Sequence, residues 1–154
     1  MFIPSSFVLI IGGLSFIPLL DKIKLMSVRR KVLILDPEPF IQELLKIKLE
    51  AEGLQVIIAE NEREAKKALL LKPELLILDI LHPKLNAYKF VQSLKSHPKL
   101  AKTKVIILTF KKKDPETFFL YNVWTEAYFE KPFVPDQLVS KLRSILKPER
   151  TKDG

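Results

Sequence analysis

The sequence contains no cysteine and only four glycines in 154 residues. The lack of cysteine excludes a disulfide framework, a cysteine nucleophile and a thiolate metal site. Two of the glycines, Gly12 and Gly13, fall in an apolar N-terminal run, and no glycine-rich phosphate loop follows the first strand-like segment of the domain. The scarcity of glycine therefore argues against a nucleotide-binding enzyme of the dinucleotide or P-loop type.

Positive charge is in excess, because 26 Lys and Arg residues against 18 Asp and Glu residues give a formal net charge of +8. A basic surface favours acidic partners such as an acidic protein, nucleic acid or an anionic membrane. The cations are spread along the chain without an aromatic-interleaved stripe, and no helix-turn-helix pattern follows the domain. We interpret them mainly as a solvated surface and expect no nucleic-acid partner.

The N-terminal segment has no charged residue from Phe2 to Leu20, and five basic residues follow between Lys22 and Lys31. An apolar run of this length is a candidate membrane span. The basic residues after it would then leave the following domain in the cytoplasm. This interpretation makes residues 1–25 a membrane anchor.

A second interpretation starts the protein at Met26 and attributes residues 1–25 to a misassigned start codon. Both interpretations place the functional domain at 26–148, followed by a charged tail at 149–154. Both also predict a domain in the cytoplasm, with membrane contact only through residues 1–25.

The domain alternates short apolar runs with helical patterns, which predicts an α/β fold with five βα units, a (βα)5 doubly wound parallel sheet. The runs are continuous in Val, Ile and Leu, as is typical of parallel strands buried on both faces. The predicted strands are 31–35, 55–59, 74–78, 104–108 and 127–130, and the predicted helices are 38–51, 61–69, 87–95, 114–123 and 134–146.

Four polar signals follow the strands in a fixed order: Asp36, Asp79, Thr109 and the pair Lys131-Pro132. Ligands of open parallel α/β sheets bind at the carboxyl ends of the strands, so we expect two carboxylates, a hydroxyl and an ammonium to converge. This set suits a divalent metal and a phosphoryl group, and it lacks the usual parts of a hydrolase or an oxidoreductase.

Taken together, these signals resemble the receiver domain of two-component response regulators over residues 30–148. Any single element is weak, because a strand-ending Asp is often only a helix N-cap. The joint order Asp, Asp-x-x-x-Pro, Thr, Lys-Pro is specific, and Tyr128 matches an aromatic position of the family three residues before Lys131. The resemblance implies a flavodoxin-like fold with strand order 2-1-3-4-5.

The resemblance also implies a mechanism. Asp79 would accept a phosphoryl group from a histidine kinase or phosphotransfer protein and become an aspartyl phosphate. Asp36, Asp79 and the backbone carbonyl of Leu81 would hold Mg2+, and Lys131 would pair with a phosphoryl oxygen. Such a domain is not an enzyme beyond self-phosphotransfer from a phosphodonor.

The resemblance implies a switch as well. Thr109 would move toward the phosphoryl group and hydrogen-bond to it, and Tyr128 would then turn inward. This rearrangement would reshape the surface near the last two helices and signal to a downstream protein target.

The chain departs from the family pattern at several positions. Pro37 replaces the second of two adjacent acids and has no carboxylate, which leaves open whether Mg2+ binds and whether the longer Glu38 replaces that acid. Phe110 stands where a small residue is usual and is predicted to narrow access to the phosphoacceptor. Ala87 replaces a usual Gly, so Asn86 is expected to adopt the unusual backbone angles.

Five aromatic residues lie within the eleven positions from Phe118 to Tyr128, and these include Trp124. Most of these aromatics are expected in the core. One inward helix face does not need five of them, so we expect some to be exposed. Because aromatics are enriched at protein interfaces, we predict an interface at Phe118, Trp124 and Tyr128 for a partner or a homodimer.

Three functions remain open from the sequence. The first is a single-domain receiver that is phosphorylated on Asp79 and signals by protein contact. The second is a degenerate receiver that binds proteins without phosphate, which Pro37 and Phe110 favour. The third is a flavodoxin-like enzyme or nucleotide binder, against which the missing glycine-rich loop argues.

Overall fold

The structure, a computed structural model, describes residues 29–115 and 122–147. Its elements are β1 (Lys31–Leu35), α1 (Pro39–Ala51), β2 (Gln55–Ile58), α2 (Glu62–Leu69), β3 (Leu75–Leu78), α3 (Ala87–Ser96), β4 (Lys104–Thr109), β5 (Ala127–Glu130) and α4 (Pro135–Ile145). Each of these bounds lies within one residue of the prediction from sequence.

Several predicted segments lie outside the described residues. These are the apolar segment 1–25, the tail 149–154 and most of the helix predicted at 114–123. Within the described ranges, no helix is long and apolar enough to cross a membrane.

The five strands form one parallel sheet in the order β2-β1-β3-β4-β5. This confirms the predicted (βα)5 flavodoxin-like fold and its strand order. Leu35 at the end of β1 pairs with Leu78 at the end of β3, and Thr109 at the end of β4 pairs with Glu130 at the end of β5. The residues that follow these ends therefore lie along one edge of the sheet.

Two hydrophobic clusters cover the two faces of the sheet, because successive strand residues point to opposite sides. Leu33, Leu76 and Ile107 belong to the cluster that contains the apolar faces of α2 and α3. Ile34, Ile77 and Ile106 belong to the cluster under α1 and α4. Full burial of such a side chain contributes roughly 1.5–3 kcal/mol, which is why both faces of the strands are apolar.

Local sequence signals set the helix ends. The Asn61 side chain accepts a hydrogen bond from the Glu64 amide at 2.9 Å, and the Glu64 carboxylate accepts one from the Glu60 amide at 2.9 Å. This arrangement is close to a capping box at the start of α2, with the Glu64 carboxylate bonded to the residue just before the N-cap. Gly53 ends α1 with φ +81°, a conformation that glycine adopts without strain.

One face of α1 packs against the sheet. Its buried stripe is Ile41, Leu45 and Leu49, whereas Phe40 and Ile47 are 75% and 60% exposed. The helix carries two adjacent apolar stripes, and helical periodicity alone does not say which one meets the sheet.

The prediction for Asn86 is also wrong. Its φ is −86°, and its side chain accepts a hydrogen bond from the Lys89 amide at 3.0 Å. Because α3 begins at Ala87, the residue before it must be an extended N-cap rather than a left-handed turn residue.

Candidate functional site

Four polar side chains meet at the carboxyl edge of the sheet, each supplied by a different strand. Asp36 follows β1, Asp79 follows β3, Thr109 ends β4 and Lys131 follows β5. All four are buried. The strand order places β1, β3, β4 and β5 side by side, so the parallel topology is what brings these distant residues together.

Lys131 lies at the centre of the cluster. Its Nζ atom is 2.7 Å from Asp36 Oδ2, 2.8 Å from Glu38 Oε1 and 3.1 Å from Asp79 Oδ2. The contacts to Glu38 and Asp79 are hydrogen bonds, whereas the contact to Asp36 Oδ2 is a close ion pair without hydrogen-bond geometry. One ammonium therefore neutralises part of the charge of three carboxylates.

The other oxygen of Asp79 is held by two donors. Thr109 Oγ1 donates to Asp79 Oδ1 at 2.6 Å, and the backbone amide of Leu81 donates to the same oxygen at 2.9 Å. Hydrogen bonds to an ionised carboxylate are stronger than those between neutral groups. They fix the orientation of Asp79, so that each of its oxygens faces a different part of the site.

Glu38, whose direction the sequence left open, points into the site. Its amide donates to Asp36 Oδ1 at 2.9 Å, while Pro37, which has no amide hydrogen to donate, stays exposed. Gln42 Nε2 donates to the Asp36 carbonyl at 2.7 Å and ties this turn to α1. One carboxylate oxygen each from Asp36, Glu38 and Asp79 consequently lies within 4.8 Å of the other two.

This acidic cluster fits a divalent cation. Asp36 Oδ2 is buried and accepts no hydrogen bond from the described residues, and its close partner is the Lys131 ammonium, so a metal could take the place of that ion pair. Carboxylate oxygens are preferred ligands of Mg2+. Because Lys131 contacts the same three carboxylates, a bound cation and the ammonium would compete for their charge.

Electrostatics support a charged Lys131. Burial alone lowers the pKa of Lys131, but the contacts with Asp36, Glu38 and Asp79 outweigh burial and raise it above its usual value. Burial raises the pKa of Asp36, and its contacts with Lys131 and the Glu38 amide offset this only in part. Burial therefore disfavours the charged form of Asp36 more than its contact with the Lys131 ammonium favours it.

Aromatic residues flank the site. Phe110 is 58% exposed, and its ring centroid lies 5.3 Å from Lys131 Nζ, a cation–π distance. The Tyr128 hydroxyl donates to the Lys111 carbonyl at 2.7 Å, and Lys113 Nζ lies 5.3 Å from the Tyr128 ring centroid. Tyr128 is thereby tied to the segment that follows Thr109.

The predicted interface is only partly described. Trp124 and Tyr128 are both half-buried against the hydrophobic core, and the Trp124 ring lies 5.7 Å from the Tyr88 ring. Phe118 lies outside the described residues. The interface therefore stays a prediction.

Sequence reasoning missed two residues near the site. His82, in the loop after Asp79, is buried; its Nδ1 accepts from the Lys84 amide at 3.2 Å, and burial lowers its pKa. Gln42, which holds the Asp36 carbonyl, was not singled out either. Its position in the first turn of the helix after Asp36 was the only available signal.

Comparison with known proteins identifies the fold and the family. The family model described as "Response regulator receiver domain" matches residues 32–143. The phosphate regulon transcriptional regulatory protein PhoB of Pseudomonas aeruginosa is 30% identical over 128 residues, which cover 82% of this chain and 55% of that protein. The chain spans about half the length of the curated relatives it matches.

Solved structures agree with this match. The chemotaxis response regulator CheY4 of Vibrio cholerae is 26% identical with a TM-score of 0.69, and the match covers 77% of this chain and 100% of that one. The signal receiver domain of a signal transduction histidine kinase from Syntrophus aciditrophicus is 31% identical with a TM-score of 0.68, covering 81% and 96%.

Receiver domains are generally signalling modules rather than enzymes, they generally bind Mg2+, and response regulators receive phosphate from histidine kinases. The family match extends over most of the described chain, including the strands that present Asp36, Asp79, Thr109 and Lys131. The chain therefore belongs to the response regulator receiver domain family of two-component signalling.

Proposed function

We propose that this receiver accepts a phosphoryl group on Asp79 from a histidine kinase or phosphotransfer protein, with Mg2+ as cofactor, and signals by protein contact. The observation that supports this best is the environment of Asp79. One of its oxygens contacts Lys131, and the other accepts from Thr109 and from the Leu81 amide. A carboxylate oriented in this way is prepared for use as a nucleophile.

The chemistry follows from these contacts. A carboxylate oxygen of Asp79 attacks phosphorus, the P–N bond to the donor imidazole breaks, and the imidazole keeps the electron pair. Negative charge spreads over the phosphoryl oxygens during transfer, so positioned cations and donors provide most of the catalysis. Lys131 and Thr109 contact Asp79 directly, and we assign them to the charge and to one oxygen of the arriving group.

Glu38 completes the metal site in this proposal. Asp36, Glu38, Asp79 and the backbone carbonyl of Leu81 would hold Mg2+, with Glu38 in place of the acid that Pro37 removes. When bound, Mg2+ would neutralise charge on the phosphoryl oxygens. Three of these groups, Asp36, Asp79 and the Leu81 carbonyl, are the ones expected from sequence, which left the role of Glu38 open.

A protein donor suits the surroundings of the site. Large apolar side chains on four different segments next to the acidic cluster are more than half exposed, namely Phe40, Leu81, Phe110 and Val134. We call these four side chains the apolar rim, and exposed apolar side chains beside a charged centre are typical of a protein interaction site. A small phosphodonor would need only the acidic centre, so the rim favours a protein that delivers the phosphoryl group.

The test is intact-mass spectrometry after incubation with Mg2+ and acetyl phosphate. We expect an added phosphoryl mass in the wild-type chain and in Asp136→Asn, which removes an exposed carboxylate on α4. We expect none in Asp79→Asn. An unmodified wild-type chain, or equal modification of Asp79→Asn, would contradict the proposal.

A second function is favoured by one observation. In the unmodified chain, the Tyr128 hydroxyl already donates to the Lys111 carbonyl, which holds Tyr128 against the segment after Thr109. This arrangement supports a receiver that binds its target without phosphate. It predicts no added mass with Mg2+ and acetyl phosphate, and no change of Trp124 or Tyr128 fluorescence when Mg2+ is added.

The organisation of the chain belongs to the same proposal. We assign residues 26–148 to one receiver domain in the cytoplasm, 149–154 to a charged tail, and 1–25 to a membrane anchor or a misassigned start. Output would pass to a downstream protein or through a homodimer at Phe118, Trp124 and Tyr128. Trp124 and Tyr128 are half-buried. Each can therefore pack against the core and still expose part of its ring to a partner.

A further inference from the structure

The edge of the sheet opposite the acidic site is formed by the amino ends of the strands, and we call it the amino edge. It comprises the chain before β1, the turn between α2 and β3, the α3–β4 connection and the end of α4. Backbone hydrogen bonds of 2.9 Å from the Glu74 amide to the Lys31 carbonyl and from the Lys104 amide to the Glu74 carbonyl join these segments.

The amino edge is basic. An open cavity of about 840 Å³ lies there, and its cationic lining residues outnumber its acidic ones, Glu74 and Glu126. Glu74 is already paired with Arg30 at 3.5 Å, which leaves most of the positive charge uncompensated. The cations that line the cavity are Arg30, Lys95, Lys102, Lys104 and Lys147.

The same edge exposes two leucines. Leu70 is 78% exposed and Leu71 is 50% exposed, in the turn that ends α2. Lys31 Nζ donates to the Leu71 carbonyl at 3.2 Å, so this turn lies beside the start of β1. Apolar side chains flanked by lysines can enter a bilayer interface while the lysines meet anionic headgroups.

We propose that the amino edge is a docking surface for an anionic lipid membrane. The path of the chain supports this occupant, because the uncharged stretch from Phe2 to Leu20 is separated by only eight residues, 21–28, from Arg29, which leads into β1 at this edge. Eight residues span at most about 30 Å. A bilayer that held this stretch would therefore lie within about 30 Å of the amino edge, and the acidic site at the opposite edge would stay open to protein partners.

The absence of cysteine makes a direct test available, because one introduced cysteine is the only labelling site. The full chain carries an environment-sensitive dye at Leu71→Cys, or at Lys84→Cys in the exposed loop after Asp79 as a control. We expect a blue shift of the emission at position 71, and none at position 84, on vesicles of phosphatidylcholine with phosphatidylglycerol. Added salt should reverse the shift, because it screens the charges.

A second variant tests the charge. Lys102→Gln should raise the lipid concentration at the half-maximal shift roughly fivefold, whereas Lys89→Gln on α3 should not change it. Leu70→Cys provides a second reporter, and circular dichroism checks that each labelled chain is folded.

Three results would overturn the proposal. The first is a chain that floats with vesicles while the label at position 71 stays in water, since the N-terminal stretch alone would then hold it. The second is an equal shift on pure phosphatidylcholine. The third is a response of the label to duplex DNA and not to the vesicles.

Discussion

The Nζ atom of Lys131 lies 2.8 Å from Oε1 of Glu38, and this contact joins the segment after β5 to the turn after β1 across the site. The Glu38 side chain is 41% exposed, whereas those of Asp36 and Asp79 are almost completely buried. Glu38 is therefore the carboxylate of the cluster that a cation arriving from solvent meets first. We therefore propose Glu38 as the residue on which metal binding depends in a chain with Pro37.

The first prediction concerns this role of Glu38. Glu38→Gln keeps the size of the side chain but removes one anionic ligand, so we expect the Mg2+ affinity to fall by about tenfold or more. Isothermal titration with Mg2+ measures the effect. Glu43→Gln, an exposed acid on the same helix, should bind Mg2+ like the wild-type chain. Equal affinities of Glu38→Gln and wild type would remove Glu38 from the metal site.

The second prediction concerns Lys131. Lys131→Met keeps a long side chain but leaves the carboxylates of Asp36, Glu38 and Asp79 close together without a cation. Breaking a buried ion pair in this way costs about 3–5 kcal/mol, so the free energy of unfolding in metal-free buffer should fall by about that amount. Urea denaturation measures it.

The response of the Lys131→Met variant to Mg2+ distinguishes a loss of charge from a packing defect. Mg2+ should restore more stability to this variant than to the wild-type chain, because the cation no longer competes with the ammonium. Lys141→Met, which removes an exposed lysine on α4, is the matched control and should stay near wild-type stability. A loss of stability that Mg2+ does not reduce would indicate a packing defect instead.

The strands could be predicted from the sequence because both faces of the sheet are covered. Parallel strands buried on both sides appear as uninterrupted apolar runs such as Leu75–Leu78, so their bounds need little tertiary information. Which face of α1 is buried was harder to predict than the strand bounds. Phe40 and Ile41 are adjacent and both apolar, and only packing against the sheet decides that Ile41 is buried.

The candidate site was likewise predictable in part. The parallel topology brings strand-ending residues together, so the convergence of Asp36, Asp79 and Lys131 follows from their places in the chain. The direction of Glu38 depends on a contact with Lys131, 93 residues away, which no local pattern encodes. The burial of His82 likewise depends on how its loop packs, because nothing in its own sequence neighbourhood marks it as an interior residue.

The third prediction tests the aromatic interface. Trp124 is a poor probe, since its ring packs on Tyr88 and its removal would also affect stability. Val123, next to it, is 73% exposed, so Val123→Glu adds a charge to this surface without loss of core contacts. We expect self-association, measured by sedimentation equilibrium of the full chain, to weaken about tenfold or more.

The control for Val123→Glu is Ile47→Glu, which adds the same charge at an exposed apolar residue of α1. Its self-association should match that of the wild-type chain. Equal weakening by both variants would mean that net charge, and not this surface, governs association.

The fourth prediction concerns Lys95 and the pH dependence of stability. Its Nζ atom donates to the carbonyls of Thr103 and Ala101. Burial lowers the pKa of Lys95 below the usual 10.5. The charge of Glu126 opposes this shift, and the charge of Lys104 adds to it. Between the lowered pKa and 10.5 the unfolded chain binds more protons at this residue than the folded chain. The contribution of Lys95 to the free energy of unfolding therefore rises with pH across that window.

Lys95→Met removes this titration, so the stability of the wild-type chain relative to the variant should increase as the pH is raised from neutral toward 10.5. Urea denaturation of both chains at several pH values measures the difference, and other titrating groups cancel because both chains share them. Lys102→Met, which changes an exposed lysine of the same edge, should show a constant difference from wild type. A wild-type advantage over Lys95→Met that shrinks with rising pH would show that the two carbonyls hold the charged ammonium more strongly than burial disfavours it.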